Sequence, residues 1–178
     1  MEGYSFKYLV EIAYKGTRYK GWQRQPKEIS VQAVVEDALS KLLGQKIVFI
    51  GCGRTDTGVH ASAYFGHFHS KKNIPDNFLF IINKMLPGDI AFYRVTEVGN
   101  EFHAQFSAVR RGYRYLMHTN VNPFLSETST YYEYPVQMDL LQALAQDIKD
   151  SKDFKAFCKQ PELYDHTSCN IFEASWNQ

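Results

Sequence analysis

The sequence predicts a mixed α+β fold, with a mainly antiparallel sheet and helices packed on one face. Three observations carry that expectation. Strand-like and helix-like periodicities alternate along the chain. The clearest helix has one apolar face, as a helix lying on a sheet requires. No glycine-rich dinucleotide fingerprint follows a strand, which argues against a doubly wound parallel sheet.

Phe6, Tyr8, Val10, Ile12 and Tyr14 alternate with Lys7 and Glu11, so Phe6 to Tyr14 reads as a half-buried strand. Ser30 to Gly44 reads as a helix, with Ser30 as N-cap and Gly44 as the stop. Val31, Val34, Val35, Ala38, Leu39, Leu42 and Leu43 form its buried stripe. Ile47 to Ile50 is a short apolar strand, and Ala61 to His69 a longer one. Pro75 to Leu86 reads as a second helix, closed by Leu86-Pro87-Gly88, and Ile90 to Val98 as a strand. Phe102 to Ala108 is a connector into a strand at Arg110 to Thr119. After a loop around Pro123, a strand is expected over Thr128 to Tyr134. A third helix follows from Asp139, where Asp139 and Gln142 have capping-box spacing and Leu141, Leu144, Ala145 and Ile148 form the stripe. Lys152 to Phe157 reads as a short helix or turn, and Thr167 to Trp176 as a final strand.

With 178 residues, 44% of them hydrophobic and 15% aromatic, the chain can bury a substantial core. No apolar run reaches membrane-spanning length, and Met1-Glu2-Gly3-Tyr4 carries no secretory pattern. Cys52, Cys158 and Cys169 are an odd number without CxxC spacing. That suits a reducing compartment, and a cytoplasmic location is the expectation. Residues 1–118 carry a net charge of +6 and residues 119–178 a net of −5, which points to a basic functional part in the first segment.

Two stretches stand out chemically. From Tyr14 to Lys27, Lys15, Arg18, Lys20, Arg24 and Lys27 are interleaved with aromatic residues and no acid intervenes. Two readings fit it. Basic groups track phosphates while exposed aromatic faces stack on bases, or the stretch is a solvated loop whose Trp22 plugs the core. The second stretch is Gly53-Arg54-Thr55-Asp56-Thr57-Gly58-Val59-His60-Ala61. Glycines on both sides of Asp56 permit sharp turns and close approach. Such an aspartate is either a turn residue bonded to its own backbone or a reacting carboxylate. His67 and His69, two apart on a strand, lack the further ligands a metal site needs. Cys52 reads as a small buried thiol rather than a nucleophile. On the strand at Arg110 to Thr119, Arg111, Tyr113 and Tyr115 share a face, as a packing pair or a stacking platform.

Taken together, these segments resemble the TruA-type tRNA pseudouridine synthases. The resemblance rests on Tyr14-Lys15-Gly16, Gly21-Trp22-Gln23-Arg24-Gln25 with Ser30-Val31-Gln32, and Gly53 to Ala61. It continues through Asn83 with Leu86-Pro87-Gly88-Asp89-Ile90, Phe102-His103-Ala104 and Tyr113-Arg114-Tyr115. These motifs stand in the family's order and cover residues 4–119 densely. The resemblance implies two ferredoxin- or RRM-like halves, residues 1–108 with the catalytic aspartate and 109–178 as the start of an incomplete second half. It implies isomerisation of uridine to pseudouridine in the tRNA anticodon stem-loop, by a homodimer using neither metal nor organic cofactor. Asp56 matches the catalytic aspartate, Arg54 its neighbouring arginine and expected charge partner, and Tyr113 the aromatic residue on the target uracil. Trp22, Gln23, Arg24, His60, Asn83, His103 and Arg111, with Tyr113, are the expected substrate-binding set.

Two departures from the family pattern are visible. Gln105 stands where an arginine is usual after His-Ala, and the chain is shorter than its relatives. A non-catalytic tRNA-binding relative, or an inactive fragment, is therefore the alternative. Asp56-Thr57-Gly58 is also the aspartic-protease signature, but that chemistry needs two facing aspartates and no second copy is present.

Overall fold

A computed structural model describes residues 6–177; residues 1–5 and 178, including the first four read above for a targeting signal, lie outside it. One compact unit runs to Leu116 and takes in Asn122–Thr130; a second comprises Met117–Val121 and the chain from Tyr131.

The first unit is a βαββαβ arrangement. Its strands are β1 (Phe6–Tyr14), β2 (Phe49–Gly51), β3 (Ala61–Ser70) and β4 (Ile90–Glu97), with helices α1 (Val31–Leu43) and α2 (Phe78–Met85) between them. The sheet order is β2-β3-β1-β4 and every neighbouring pair is antiparallel. This is the split βαβ topology of ferredoxin-like domains, as the first half was expected to be.

Tyr8, Val10, Ile12 and Tyr14 of β1 are buried on the helix side of the sheet, with Tyr64 and Phe68 of β3 beside them. Val31, Val35, Ala38 and Leu39 of α1, and Phe78 and Ile82 of α2, close the core from above. The expected ends of α1 are realised. The Ser30 hydroxyl accepts from the Ala33 amide, and Gly44 takes the left-handed conformation at φ 62°. Helix α2 is shorter than expected because Pro75 lies in a turn before it, its carbonyl accepting from the Phe78 amide.

The connector after β4 packs on part of the second face of the sheet, leaving Phe65 exposed. The buried Lys7 ammonium donates to the carbonyls of Asn100 (2.9 Å) and Phe102. The Ala104 amide donates to His67 Nδ1 at 3.1 Å. A cation and an imidazole inside the fold are thus both answered by this connector, which meets the demand that buried polar groups be paired.

Beyond residue 108 the structure departs from expectation. The strand expected over 110–119 forms only at Met117–His118 (β5), paired with Thr130–Tyr131 (β6). Thr167 to Trp176 forms no strand; Ser168 makes an isolated bridge with Asp153, flanked by hydrogen bonds from the Phe154 amide to the Thr167 carbonyl and from the Cys169 amide to the Lys152 carbonyl. Alternation supplies a face but not a ladder partner, and a strand needs both. Helix α3 (Met138–Asp150) begins one residue early, capped by no side chain, so Asp139 sits in the first turn instead of forming a capping box. Of its stripe, Ala145 is buried while Leu144 and Ile148 remain exposed. Among the described residues no helix is long and apolar enough to cross a membrane.

Candidate active site

The two chemically distinctive stretches form one structure. The loop after β1 lies directly against the loop that carries Asp56. A β-carbon added to Gly16 would fall on the Val59 carbonyl, and one added to Gly21 would lie 2.5 Å from the Thr55 carbonyl oxygen. Gly21 also has φ +83°, a conformation that favours glycine. The Trp22 amide donates to the Thr55 carbonyl at 3.0 Å and the Gly58 amide to the Tyr19 carbonyl at 3.3 Å. The Gly16 amide donates to His60 Nδ1 at 2.9 Å.

A buried aromatic floor supports this double loop. Trp22 packs on Tyr64 with ring centroids 4.2 Å apart, and on Tyr14 and Phe49 at 5.9 and 5.8 Å. From the floor two hydroxyls reach the aspartate loop. Tyr14 shares a 2.9 Å hydrogen bond with Thr55 Oγ1, and Tyr64 donates to the Gly53 carbonyl. Burial raises the Tyr14 hydroxyl to about 12 and pushes Tyr64 up as well, so both stay protonated. The register of β1 against β3 slips between Ile12 and Tyr14, which brings Tyr14 opposite Ala61, next to the end of the loop. Irregularities of this kind re-aim side chains beside functional sites. Nothing in the local pattern marked Tyr14, Thr55 or Tyr64 as supports; only the pairing of β1 with β3 brings them together.

Trp22 corrects one expectation. It is 3% exposed, so it offers no face to a base and is the core plug of the alternative reading. Arg24 is likewise engaged. Its Nε donates to Glu36 at 2.8 Å and its Nη2 to Asp37 at 2.7 Å. Glu36, itself buried, also accepts from the Phe49 amide at 3.0 Å, so Arg24 ties the loop to α1. Gln23 is exposed beside it.

His60 spans two segments. Nδ1 accepts from Gly16, so Nε2 carries the proton and donates to the Glu127 carbonyl at 2.6 Å. Glu127 also pairs with Lys15. Asn83 lies at the α2–β4 contact, where its amide exchanges two 2.8 Å hydrogen bonds with the Phe92 backbone. His103 stacks on Phe106 at 4.4 Å, and its Nδ1 is buried without a partner.

Asp56 and Arg54 are exposed, and they make no ion pair with each other, so the expected charge pairing is not formed. Tyr113 is 77% exposed. Its segment is joined to the Asp56 loop by Arg111, whose Nη2 donates to the Cys52 carbonyl at 2.8 Å and the Gln105 carbonyl at 3.3 Å. Asp56, Arg54 and Tyr113 are thus open to solvent, the first two on a loop held from beneath by Tyr14 and Tyr64. Cys52, Cys158 and Cys169 are free thiols, and among the described residues no cluster of metal-ligating side chains occurs.

Comparison with known proteins identifies the family. Residues 11–107 match the family model described as tRNA pseudouridine synthase, which covers both loops and the connector. The chain belongs to the tRNA pseudouridine synthase family. It is 35% identical over 172 residues to tRNA pseudouridine synthase A of Azobacteroides pseudotrichonymphae, covering 96% of this chain and 69% of that protein. It is 40% identical over 172 residues to the protein of that name from Dictyoglomus thermophilum, covering 94% and 70%. With the Picosynechococcus protein it shares 40% over 164 residues, covering 90% of this chain and 60% of the relative. The chain therefore spans 60–70% of the length of these synthases. The family's reaction is an isomerisation.

Proposed function

We propose that this chain isomerises uridine to pseudouridine in the anticodon stem-loop of tRNA, with Asp56 as the reacting carboxylate. The observation that carries the reading is the exposed Asp56 on a loop braced from beneath by Tyr14, Tyr64 and Trp22. A turn aspartate needs no such frame; a carboxylate that must meet a sugar carbon does.

In pseudouridine formation the bond from uracil N1 to ribose C1′ breaks, the base turns over, and C5 joins C1′ as its proton leaves. The target nucleotide must first leave the stack. Asp56 either attacks C1′ or removes a ribose proton to give a glycal. Both routes need its ionised form. The exposed Arg54 is free to meet a phosphate or to approach Asp56 once the nucleotide displaces water. Tyr113 supplies the aromatic face that holds uracil while it turns. In this reading Gln23 and His103 serve as RNA contacts, and residues 1–108 act as the catalytic half. A homodimer in the cytoplasm, working without metal or cofactor, completes the reading.

Incubation of unmodified tRNA with the 178-residue chain, followed by chemical mapping of pseudouridine, tests the proposal. Pseudouridine in the anticodon stem-loop is expected with the native chain, while Asp56→Asn should bind tRNA and form none. Binding without product by the native chain would leave the non-catalytic alternative, and full activity of Asp56→Asn would remove Asp56 from the mechanism.

A further inference from the structure

We propose that Arg111 is a positioning residue: its guanidinium clasps the Asp56 loop to the segment bearing Tyr113, setting the gap in which the target uracil is held. The inference rests on the pseudouridine reading of the site. The sequence placed Arg111 among the groups that contact RNA; its geometry assigns it an inward task.

Three segments meet at this side chain. Nη2 donates to the Cys52 carbonyl at 2.8 Å, four residues before Asp56. The same nitrogen donates to the Gln105 carbonyl at 3.3 Å, on the connector after β4. The backbone of Arg111 itself lies two residues before Tyr113, a span of about 7 Å at most. Gly53 lies alongside the bridge, where a β-carbon would sit in ordinary contact with Arg111 Nε at 3.5 Å. The residues from Val109 to Leu116 have no regular secondary structure, so no strand ladder fixes them relative to the loop. A planar guanidinium can bridge two carbonyls in a fixed geometry, which a flexible ammonium does poorly. The position of Gln105 also gains meaning. Its backbone carbonyl is what Arg111 uses, so the clasp survives the change from the family's usual arginine.

The bridge predicts an effect on turnover rather than on affinity. Misplacing a reacting partner by an ångström costs about a hundredfold in rate. Arg111→Ala and Arg111→Lys should therefore lose about a hundredfold in kcat. KM for tRNA, and the dependence of tRNA affinity on salt, should stay unchanged. In both variants amide hydrogen exchange should accelerate around residues 51–58 and 104–116 relative to the native chain. A raised KM with a salt dependence reduced by about one phosphate contact, and an unchanged kcat, would make Arg111 an RNA ligand and overturn the proposal. Unchanged exchange in both regions would overturn it equally. If the native chain forms no pseudouridine, the functional reading fails instead, and the exchange rates still decide whether the clasp exists.

Discussion

Gly21 rests its backbone on Thr55, so closely that a β-carbon at residue 21 would lie 2.5 Å from the Thr55 carbonyl oxygen. This approach joins the basic loop after β1 to the loop that carries Asp56. It shows why two separate stretches of sequence behave as one signature. Backbone hydrogen bonds from Trp22 to Thr55 and from Gly58 to Tyr19 tie the two loops together.

Gly21→Ala should test that tie directly. The new methyl meets backbone, which cannot swing aside, and the positive φ penalises any β-carbon. A loss of about 1–3 kcal/mol in chemical denaturation is expected. Gly44→Ala provides the contrast, because its φ is also positive but nothing lies within 4 Å of the added carbon. It should cost less, so equal losses would show that the Thr55 contact contributes nothing.

The hydroxyl pair Tyr14–Thr55 gives a second prediction. Tyr14→Phe keeps the ring in the aromatic floor and removes only the 2.9 Å hydrogen bond. Stability should fall by about 1 kcal/mol. Thr55→Val should match it, and the double variant should lose little more than either single one, because one interaction is being removed twice. Additive losses in a double-mutant cycle would mean that the two hydroxyls act separately.

Trp22→Ala should act through the fold. The indole is 3% exposed among Tyr14, Phe49 and Tyr64, and truncation of such a residue costs about 3–5 kcal/mol. Denaturant midpoints should drop sharply, while tRNA affinity per folded molecule stays the same. A weaker affinity at full stability would return Trp22 to the RNA-binding surface.

His67 sets a dependence on pH. Burial first, then the charges of Lys7, His103 and His69, lower its pKa from 6.5 to about 4. The folded state therefore binds the proton less readily than the unfolded chain does. The stability tied to neutral His67 is complete above about pH 6.5 and is lost as pH falls towards 4. Equilibrium denaturation between pH 7 and 4 should show that decline, and His67→Gln should flatten part of it. An unaltered slope in the variant would assign the decline to other groups.

Tyr113 separates stacking from proton transfer. If its ring holds the uracil, Tyr113→Phe should retain much of the turnover and Tyr113→Ala little, as measured by tritium or mass-spectrometric assay of product. Equal losses would place the work on the hydroxyl.

The sequence by itself determined the elements that local chemistry dictates. The alternation from Phe6 to Tyr14, the stripe from Val31 to Leu43 and the caps at Ser30 and Gly44 all recur in the fold, because periodicity and capping are properties of a single segment. The motif around Asp56 was equally legible, since its residue types are rare together. What only the tertiary structure decided concerns partners. Whether Trp22 faced RNA or the core, whether Arg24 was free or held by Glu36 and Asp37, and whether Arg111 reached outward or clasped Cys52 and Gln105 all depended on distant chain. The same reason explains residues 110–116 and 167–176, whose strand-like pattern found no ladder partner over most of its length. A segment's pattern states what it can bury or pair; only the packed chain states with what.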